Sequence, residues 1–286
     1  MNLMPELQLG FNGTFALKKE DVIKIIRAAT EEKGLNDTRQ GLIDRTGLGN
    51  EKVLRIKSWA IRSGLISSNR LSPEGEIVWR LDSYLESNIT DWLMHFYLSF
   101  GDKGLQPPPK TPANWGGWSY FVYVFLPCYN TFTINELLHH SASVFEEATS
   151  ERLTDKFRIV LKAYIGLSPK NEQAPLQSCK FIQKLEADKF VAGNASIPNP
   201  YMIGYLLAKL WERDFRDTTS VLTNDVLQQR MGLAPALGID SEALQKHLDT
   251  LEAFAIIEQR RTVSPAQIIR RWDNPLSLLE KAYAND

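Results

Sequence analysis

The side chains with the widest chemical reach are few and scattered. His95 follows Trp92 and Leu93 in an apolar stretch of helical spacing, the setting of a core or boundary histidine. His139 and His140 are adjacent, so on a helix they diverge by about 100° and do not readily share a metal; Glu136 sits one turn before His140. Cys128 and Cys179 stand in no CxxC spacing, which argues against a thiolate zinc site or a disulfide framework and fits a reducing cytoplasm. There is no HExxH, no GxGxxG and no GxxxxGK[ST]; Gly47-x-Gly49 lacks the third glycine and follows a helix, not a strand. Neither a metal nor a cofactor is expected, and no catalytic signature makes the chain an enzyme. The chemistry left is that of cations grouped on one element, and cations grip phosphate.

Those cations lie in residues 38–66, TRQGLIDRTGLGNEKVLRIKSWAIRSGLI, which read as two short helices joined by a glycine-bearing turn. Thr38 to Thr46 forms the first helix, Gly47 and Gly49 make the turn, and Asn50 caps the second. On that second helix Val53, Leu54, Ile56, Trp59, Ala60 and Ile61 spread over a broad apolar face, with Glu51, Arg55, Ser58 and Arg62 on the opposite stripe and Lys52 and Lys57 beside it. Leu65 and Ile66, a polar turn through Arg70, and Leu71 suggest a small hairpin, or wing, before Ser72 caps a helix with Pro73 in its first turn. From position 50 to 70, Lys52, Arg55, Lys57, Arg62 and Arg70 face Glu51 alone, a net of +4. Arg55, Ser58 and Arg62 are the candidates to read or grip a groove; Lys52, Lys57 and Arg70 would hold phosphates. The same fold packs helices without touching nucleic acid, and a basic stripe is also what an ordinary solvated face presents.

The chain around this element is long enough for about two domains, and its 43% hydrophobic content supports a sizeable core. Lysine plus arginine number 33 against 34 aspartate plus glutamate, a net charge of −1, so any polyanion binding must come from local patches. The start of the chain lacks a basic region followed by an apolar one, and no apolar run reaches the ~20 residues that span a bilayer. The aromatic stretch from Trp115 to Tyr129 reads as a buried helix of the core. Stacking of its rings on bases is the less favoured use.

Elsewhere the spacing predicts helices over residues 20–32, 133–149 with a Thr133/Glu136 capping box, 151–164 and 201–214. Residues 166–180 read as a surface loop, and 185–200 as weakly strand-like. The last third repeats the plan of the first: a short helix at 224–230, a turn, a helix capped by Asp240 that reaches about Phe254, a strand at 255–258, a turn at 259–261 and a return through Thr262 and Val263. Its second helix carries Asp240, Glu242, Asp249 and Glu252 against Lys246, a net of −3, which repels phosphate and favours a protein partner. Arg260 and Arg261 in its wing, and Arg270 and Arg271 after it, remain basic and within reach of a DNA backbone. The expected fold is mainly α, with two winged-helix-like units (helix-turn-helix plus small β-wing) flanking a helical middle region. The expected units are residues 1–100, 101–198 and 199–286.

The order TGLGNEKVLRIKSWAIRSGLI, LSPEGEIVWRLDSYLESNITDWLMHFYL, ANWGGWSYFVYVF and FTINEL, continuing through DKFRIVLKAYIGL, APLQS and RRWDNPLSLLEKAY, resembles an uncharacterised bacterial family encoded beside phosphorothioate (Dnd-type) DNA sulfur-modification genes. That resemblance implies a phage-defence setting, with a cysteine desulfurase, an ATP-pyrophosphatase-like sulfurtransferase and an ATPase as neighbours. Members of that family begin with a Gly-His-Glu-Thr-Phe run, whereas Phe11-Asn12-Gly13-Thr14-Phe15 here lacks the histidine and the glutamate. The expectation is a cytoplasmic accessory subunit that positions double-stranded DNA through its first helix-turn-helix and docks sulfur-modification proteins through its C-terminal half. A protein-interaction scaffold without DNA contact, a winged-helix transcriptional regulator and a DNA-processing enzyme with a dispersed site stay open.

Overall fold

Side-chain caps decide where most helices begin. Thr38, Ser72, Ser87, Thr133, Thr149, Asn199, Asp240 and Asn274 each accept a hydrogen bond from an amide of the first turn that would otherwise lack a partner. The computed structural model describes residues 5–166, 173–186, 188–262 and 264–286. It is mainly helical, with small antiparallel sheets.

Helices α1 (Lys19–Thr30), α2 (Arg39–Thr46) and α3 (Asn50–Arg62) pack together and lead into the hairpin β1 (Ile66–Ser67) and β2 (Arg70–Leu71), with Ile66 opposite Leu71. Gly47, at φ 66°, ends α2 in the left-handed conformation as the turn requires. Asn50 does not cap α3: Gly49 holds that place, Asn50 is the first helical residue, and its side chain accepts from Arg39. The wheel of α3 also differs from expectation. Ile61 is 39% exposed and Leu54 only half-buried, while Arg55, Ser58 and Arg62 are half-buried too. The buried side narrows to Val53, Ile56, Trp59 and Ala60 because other parts of the chain pack against the arginine flank.

After α4 (Pro73–Leu81), α5 (Asn88–Ser99) is buried on almost every side and runs through the middle of the molecule. The aromatic stretch is buried as expected, but it is not one regular helix. It runs as α6 (Gly117–Tyr120), a widened π-helical turn (Phe121–Phe125) and α7 (Leu126–Cys128). Strand β3 (Thr131–Thr133) follows, then α8 (Ile134–Ala142) with the expected capping box but ending earlier than 149, and α9 (Ser150–Tyr164). Residues 167–172 of the expected surface loop lie outside the described residues. Beyond them Leu176 and Cys179 are buried, because the Leu176 amide is drawn to the Ala163 carbonyl at 2.8 Å. The weak strand signal resolves into β4 (Ile182–Lys184) and β5 (Lys189–Ala192), which join β3 in a sheet ordered β3-β5-β4.

The last third contains α10 (Pro200–Asp214), β6 (Ser220–Leu222), α11 (Thr223–Leu227), α12 (Leu233–Leu237), α13 (Ser241–Ala253), β7 (Ile257–Arg260), β8 (Gln267–Arg270) and α14 (Pro275–Ala284). Strand order is β6-β8-β7, with Val221 opposite Ile268 and Glu258 opposite Ile269. Both strands lie later than the expected 255–258 and 262–263, the second is also longer, and Val263 falls outside the described residues. One hydrophobic cluster runs from Leu7 to Ala282 and crosses every expected unit boundary.

Candidate nucleic-acid interface

The arginine flank of α3 faces the chain's own N-terminal segment. Residues 10–15 fold into tight turns, with the Gly13 amide on the Gly10 carbonyl and the Phe15 amide on the Asn12 carbonyl. This segment lies against α3: Arg55 Nη1 donates to the Phe11 carbonyl at 3.2 Å, and Trp59 Nε1 donates to the Phe15 carbonyl at 3.0 Å. The Arg62 guanidinium sits 4.0 Å from the centre of the Phe11 ring, which also meets Trp59 edge-on. Gly13 has φ 58°, and a Cβ there would come 3.3 Å from Arg55 Nε, so the close approach of turn and guanidinium suits glycine. From the other side, α9 sends Lys156 Nζ to the Gly13 carbonyl at 2.7 Å and the Asn12 amide oxygen at 3.4 Å.

On the opposite flank, Lys57 donates to the Leu35 carbonyl at 3.3 Å and to Asn69 Oδ1 at 2.8 Å, and burial lowers its pKa. Arg70 reaches back from the hairpin to the carbonyls of Glu31 and Glu32. Lys52 is ion-paired with the buried Asp21 at 2.7 Å. Ser58 is half-buried between the two flanks. The +4 element thus divides. Arg55 and Arg62 face the 10–15 turns, Lys57 and Arg70 face the hairpin corner, and Lys52 is neutralised. Arg55, Lys57, Arg70 and Lys156 bind neutral oxygens. A carbonyl orients a cation without cancelling its charge, so the field of these groups extends into solvent.

The C-terminal cations have different partners. Arg260 pairs with Glu258 at 3.2 Å, Arg261 pairs with Asp249 and lies 3.4 Å from Glu252, and Arg271 pairs with Glu258. Arg270 is directed at the Asp217 carbonyl. A guanidinium already on a carboxylate grips phosphate only by exchanging partners. Two residues of this region escaped the sequence reading, Lys156 and its neighbour one turn earlier, Arg152. Their signal was the polar edge of α9 beside the apolar face of Leu153, Phe157 and Val160.

His95 and Asp91 are both tied into the core by hydrogen bonds. Trp118 Nε1 donates to the Tyr164 hydroxyl, whose own proton goes to His95 Nδ1 at 2.8 Å, so His95 Nε2 carries the hydrogen and donates to the Ala236 carbonyl at 2.8 Å. Full burial holds its pKa down at about 4, and it stays neutral. Asp91, one turn earlier, receives the Ser178 hydroxyl and pairs with Lys19, each at 2.5 Å. Burial is the largest influence on Asp91 and lifts its pKa to about 6 against the pull of Lys19 and Ser178. This cluster lines a cleft with Tyr84, Lys162 and Gln173, and it ties the start of α1 to α5. Both carboxylate oxygens are engaged, so Asp91 offers no free base. Cys179 beside it is buried, its thiol pKa pushed well up. Tyr129 stacks on His140 at 4.5 Å.

The family described as "Protein of unknown function (DUF4007)" matches residues 12–283. The chain belongs to this family. Two solved structures, described as "Magnesium ion-bound SspB crystal structure" and "SspB crystal structure", share its fold: each has a TM-score of 0.70 and 16% identity, over 96% of this chain and 87% of the other. At that identity the likeness speaks for fold alone. No curated protein matches the chain by sequence. None of these descriptions names an enzymatic activity. Among the described residues no three histidine, cysteine or acidic side chains converge to hold a metal ion. No helix among them is long and apolar enough to cross a membrane.

Proposed function

We propose that this protein is a DNA-contacting accessory subunit of a phosphorothioate DNA-modification and phage-defence assembly. It grips duplex DNA on the α3 side of its N-terminal unit and docks partner proteins through its C-terminal unit. The observation that carries the reading is the contrast in cation partners. Arg55 and Lys57 on α3 are held by neutral oxygens, whereas Arg260, Arg261 and Arg271 are neutralised by carboxylates. Of the arginines from Arg260 to Arg271, Arg270 alone is on a carbonyl, so in a chain of net charge −1 the larger local positive field is on the α3 side, where phosphate would be attracted.

Two topological features support reading both units as winged helices. The first has three helices followed by a hairpin; the second has helix α10, strand β6, paired helices, α13 and the hairpin β7–β8. The phosphorothioate setting rests on the sequence resemblance, which also names the expected partners: cysteine desulfurase, sulfurtransferase and ATPase. Arg55 and Arg62 are the central groups, with Ser58 between the flanks, Lys57 and Arg70 as backbone contacts, and Lys52, Arg260 and Arg261 as weaker ones because of their carboxylate partners.

The test is an anisotropy titration of labelled duplex across a salt series. Each phosphate contact removed lowers the salt slope by about 0.9, so Arg55→Ala with Arg62→Ala is expected to reduce it by about 1.8. Unchanged affinity and slope would sink the reading. The acidic outward residues of α13 favour a second reading, a scaffold that binds proteins only; co-purification with the desulfurase or sulfurtransferase and no duplex binding would establish it.

A further inference from the structure

The cations of α3 do not stand alone. Lys156 of α9 and Arg55 of α3 are held by one short turn, on the carbonyls of Gly13 and Phe11 respectively, so an ammonium and a guanidinium from distant parts of the chain meet across it. Arg152 lies one turn before Lys156 on the same side of α9 and is exposed. The like charges act on one another: the Lys156 pKa is lowered first by burial, then by Arg152, with Asp155 pulling the other way and Arg55 adding a smaller lowering. Crowded cations repel, and their repulsion is relieved when an anion lies across them.

We infer that α9 forms the second wall of the DNA-binding surface: Arg152 and Lys156 contact the phosphate backbone across the 11–15 turn from Arg55 and Arg62. This rests on the proposed DNA contact of α3 and extends it to an element outside the helix-turn-helix. A backbone lying in this seam follows the N-terminal segment between two helices, with cations on both sides. Arg158 is exposed on the same helix but lies about 200° around from Lys156, so it points away from the seam and serves as an internal control.

The experiment measures duplex affinity from 0.05 to 0.2 M salt for the full chain, Arg152→Gln with Lys156→Gln, Arg158→Gln, and Arg55→Ala with Arg62→Ala. The α9 pair is expected to lower the salt slope by about 1.8, so over that fourfold rise in salt the parent loses about 12-fold more affinity than the variant. Arg158→Gln is expected to match the parent. Because Lys156 also holds the turn, Arg152→Gln alone and the charge-preserving Lys156→Arg accompany the pair; the first should lower the slope by about 0.9 and the second should leave it unchanged. If the α3 pair weakens binding while Arg152→Gln and the α9 pair do not, α9 is not part of the surface and the α3 reading stands. Equal effects of Arg158→Gln and Arg152→Gln would make the contribution one of net charge, and the seam would be wrong. A parent chain that binds no duplex overturns both.

Discussion

Asp91 and His95 lie one turn apart on α5 and titrate in opposition, which makes the pH dependence of stability a direct probe of the core. Burial raises Asp91 from 3.8 to about 6 and lowers His95 from 6.5 to about 4. Between pH 4 and 6 the folded chain keeps a proton on Asp91 that the unfolded chain has released, so this group favours folding at the acid end and the benefit is lost as pH rises through about 6. Over the same interval the unfolded chain holds a proton on His95 that the folded chain excludes, so this group favours folding above 6.5 and the benefit is lost as pH falls toward about 4. Each shift exceeds two units, equivalent to about 3 kcal/mol at 1.36 kcal/mol per unit. In the parent chain the two contributions nearly cancel.

Single substitutions separate them. Asp91→Asn keeps a polar group for Ser178 and Lys19 but cannot titrate, and His95→Gln can still accept from Tyr164 and donate to Ala236. Urea denaturation at pH 4, 5, 6 and 6.5 gives the stability of each variant minus that of the parent, a difference that removes the background of other titrating groups. For Asp91→Asn this difference is expected to rise by about 3 kcal/mol from pH 4 to 6; for His95→Gln it is expected to fall by about as much from pH 4 to 6.5. A constant offset, whatever its size, reflects lost packing or hydrogen bonds. Flat differences for both variants would refute the assignment of a protonated Asp91 and a neutral His95 to the folded core.

Gly64→Ala should destabilise by about 2–4 kcal/mol in urea, because φ is 77° and the new Cβ would lie 2.4 Å from the Tyr97 ring. Thr133→Ala removes one side of the capping box on α8 and should cost about 1 kcal/mol by the same measurement, with no effect on duplex affinity. Arg260→Ala with Arg261→Ala should change duplex affinity by less than about twofold, since both side chains are already on carboxylates. A tenfold loss in the anisotropy titration would instead place the C-terminal hairpin on DNA.

Local signals carried the helices. Thr38, Ser72, Thr133 and Asp240 with the apolar periodicity after them mark starts that recur in the structure, and His95 among Trp92 and Leu93 reads correctly as a core group. What failed depends on distant parts of the chain. Nothing near Arg55 or Arg62 announces that residues 10–15 lie against them, so periodicity alone makes the solvent face of α3 too basic and places Leu54 and Ile61 too deep. Strand β6 is short, and its pairing with β8 crosses more than 40 residues, from Val221 to Ile268. Leu176 and Cys179 sit in a polar, proline-marked segment whose burial is set by the Ala163 carbonyl at the end of α9. The candidate site was half legible for the same reason: α3 is continuous in sequence, whereas Lys156 joins it only through tertiary structure.

The two surfaces given different roles are built on one framework. Glu74 of α4 is buried and accepts from the hydroxyls of Tyr97 on α5 and Tyr205 on α10, at 2.9 and 3.0 Å, with Lys209 of α10 at 3.4 Å. A buried carboxylate stripped of such partners costs several kcal/mol, so α4 depends on α10 for its satisfaction. Helix α14 then closes on the N-terminal half: Glu280 pairs with Arg80, and the Tyr283 hydroxyl meets Thr90 at 2.7 Å, which in turn donates to Asp82. Trp92 adds a bond from α5 to the Ser196 carbonyl at 2.9 Å, just before α10 begins. Polar groups of both halves are therefore completed by the other half, on top of a continuous apolar core. A load applied at α3 and α9 passes through α5 and α4 into α10 and α14, which carry the C-terminal sheet and α13. DNA held at one end and a protein held at the other would keep a fixed mutual orientation, which is what a subunit that presents a substrate to a modifying partner requires.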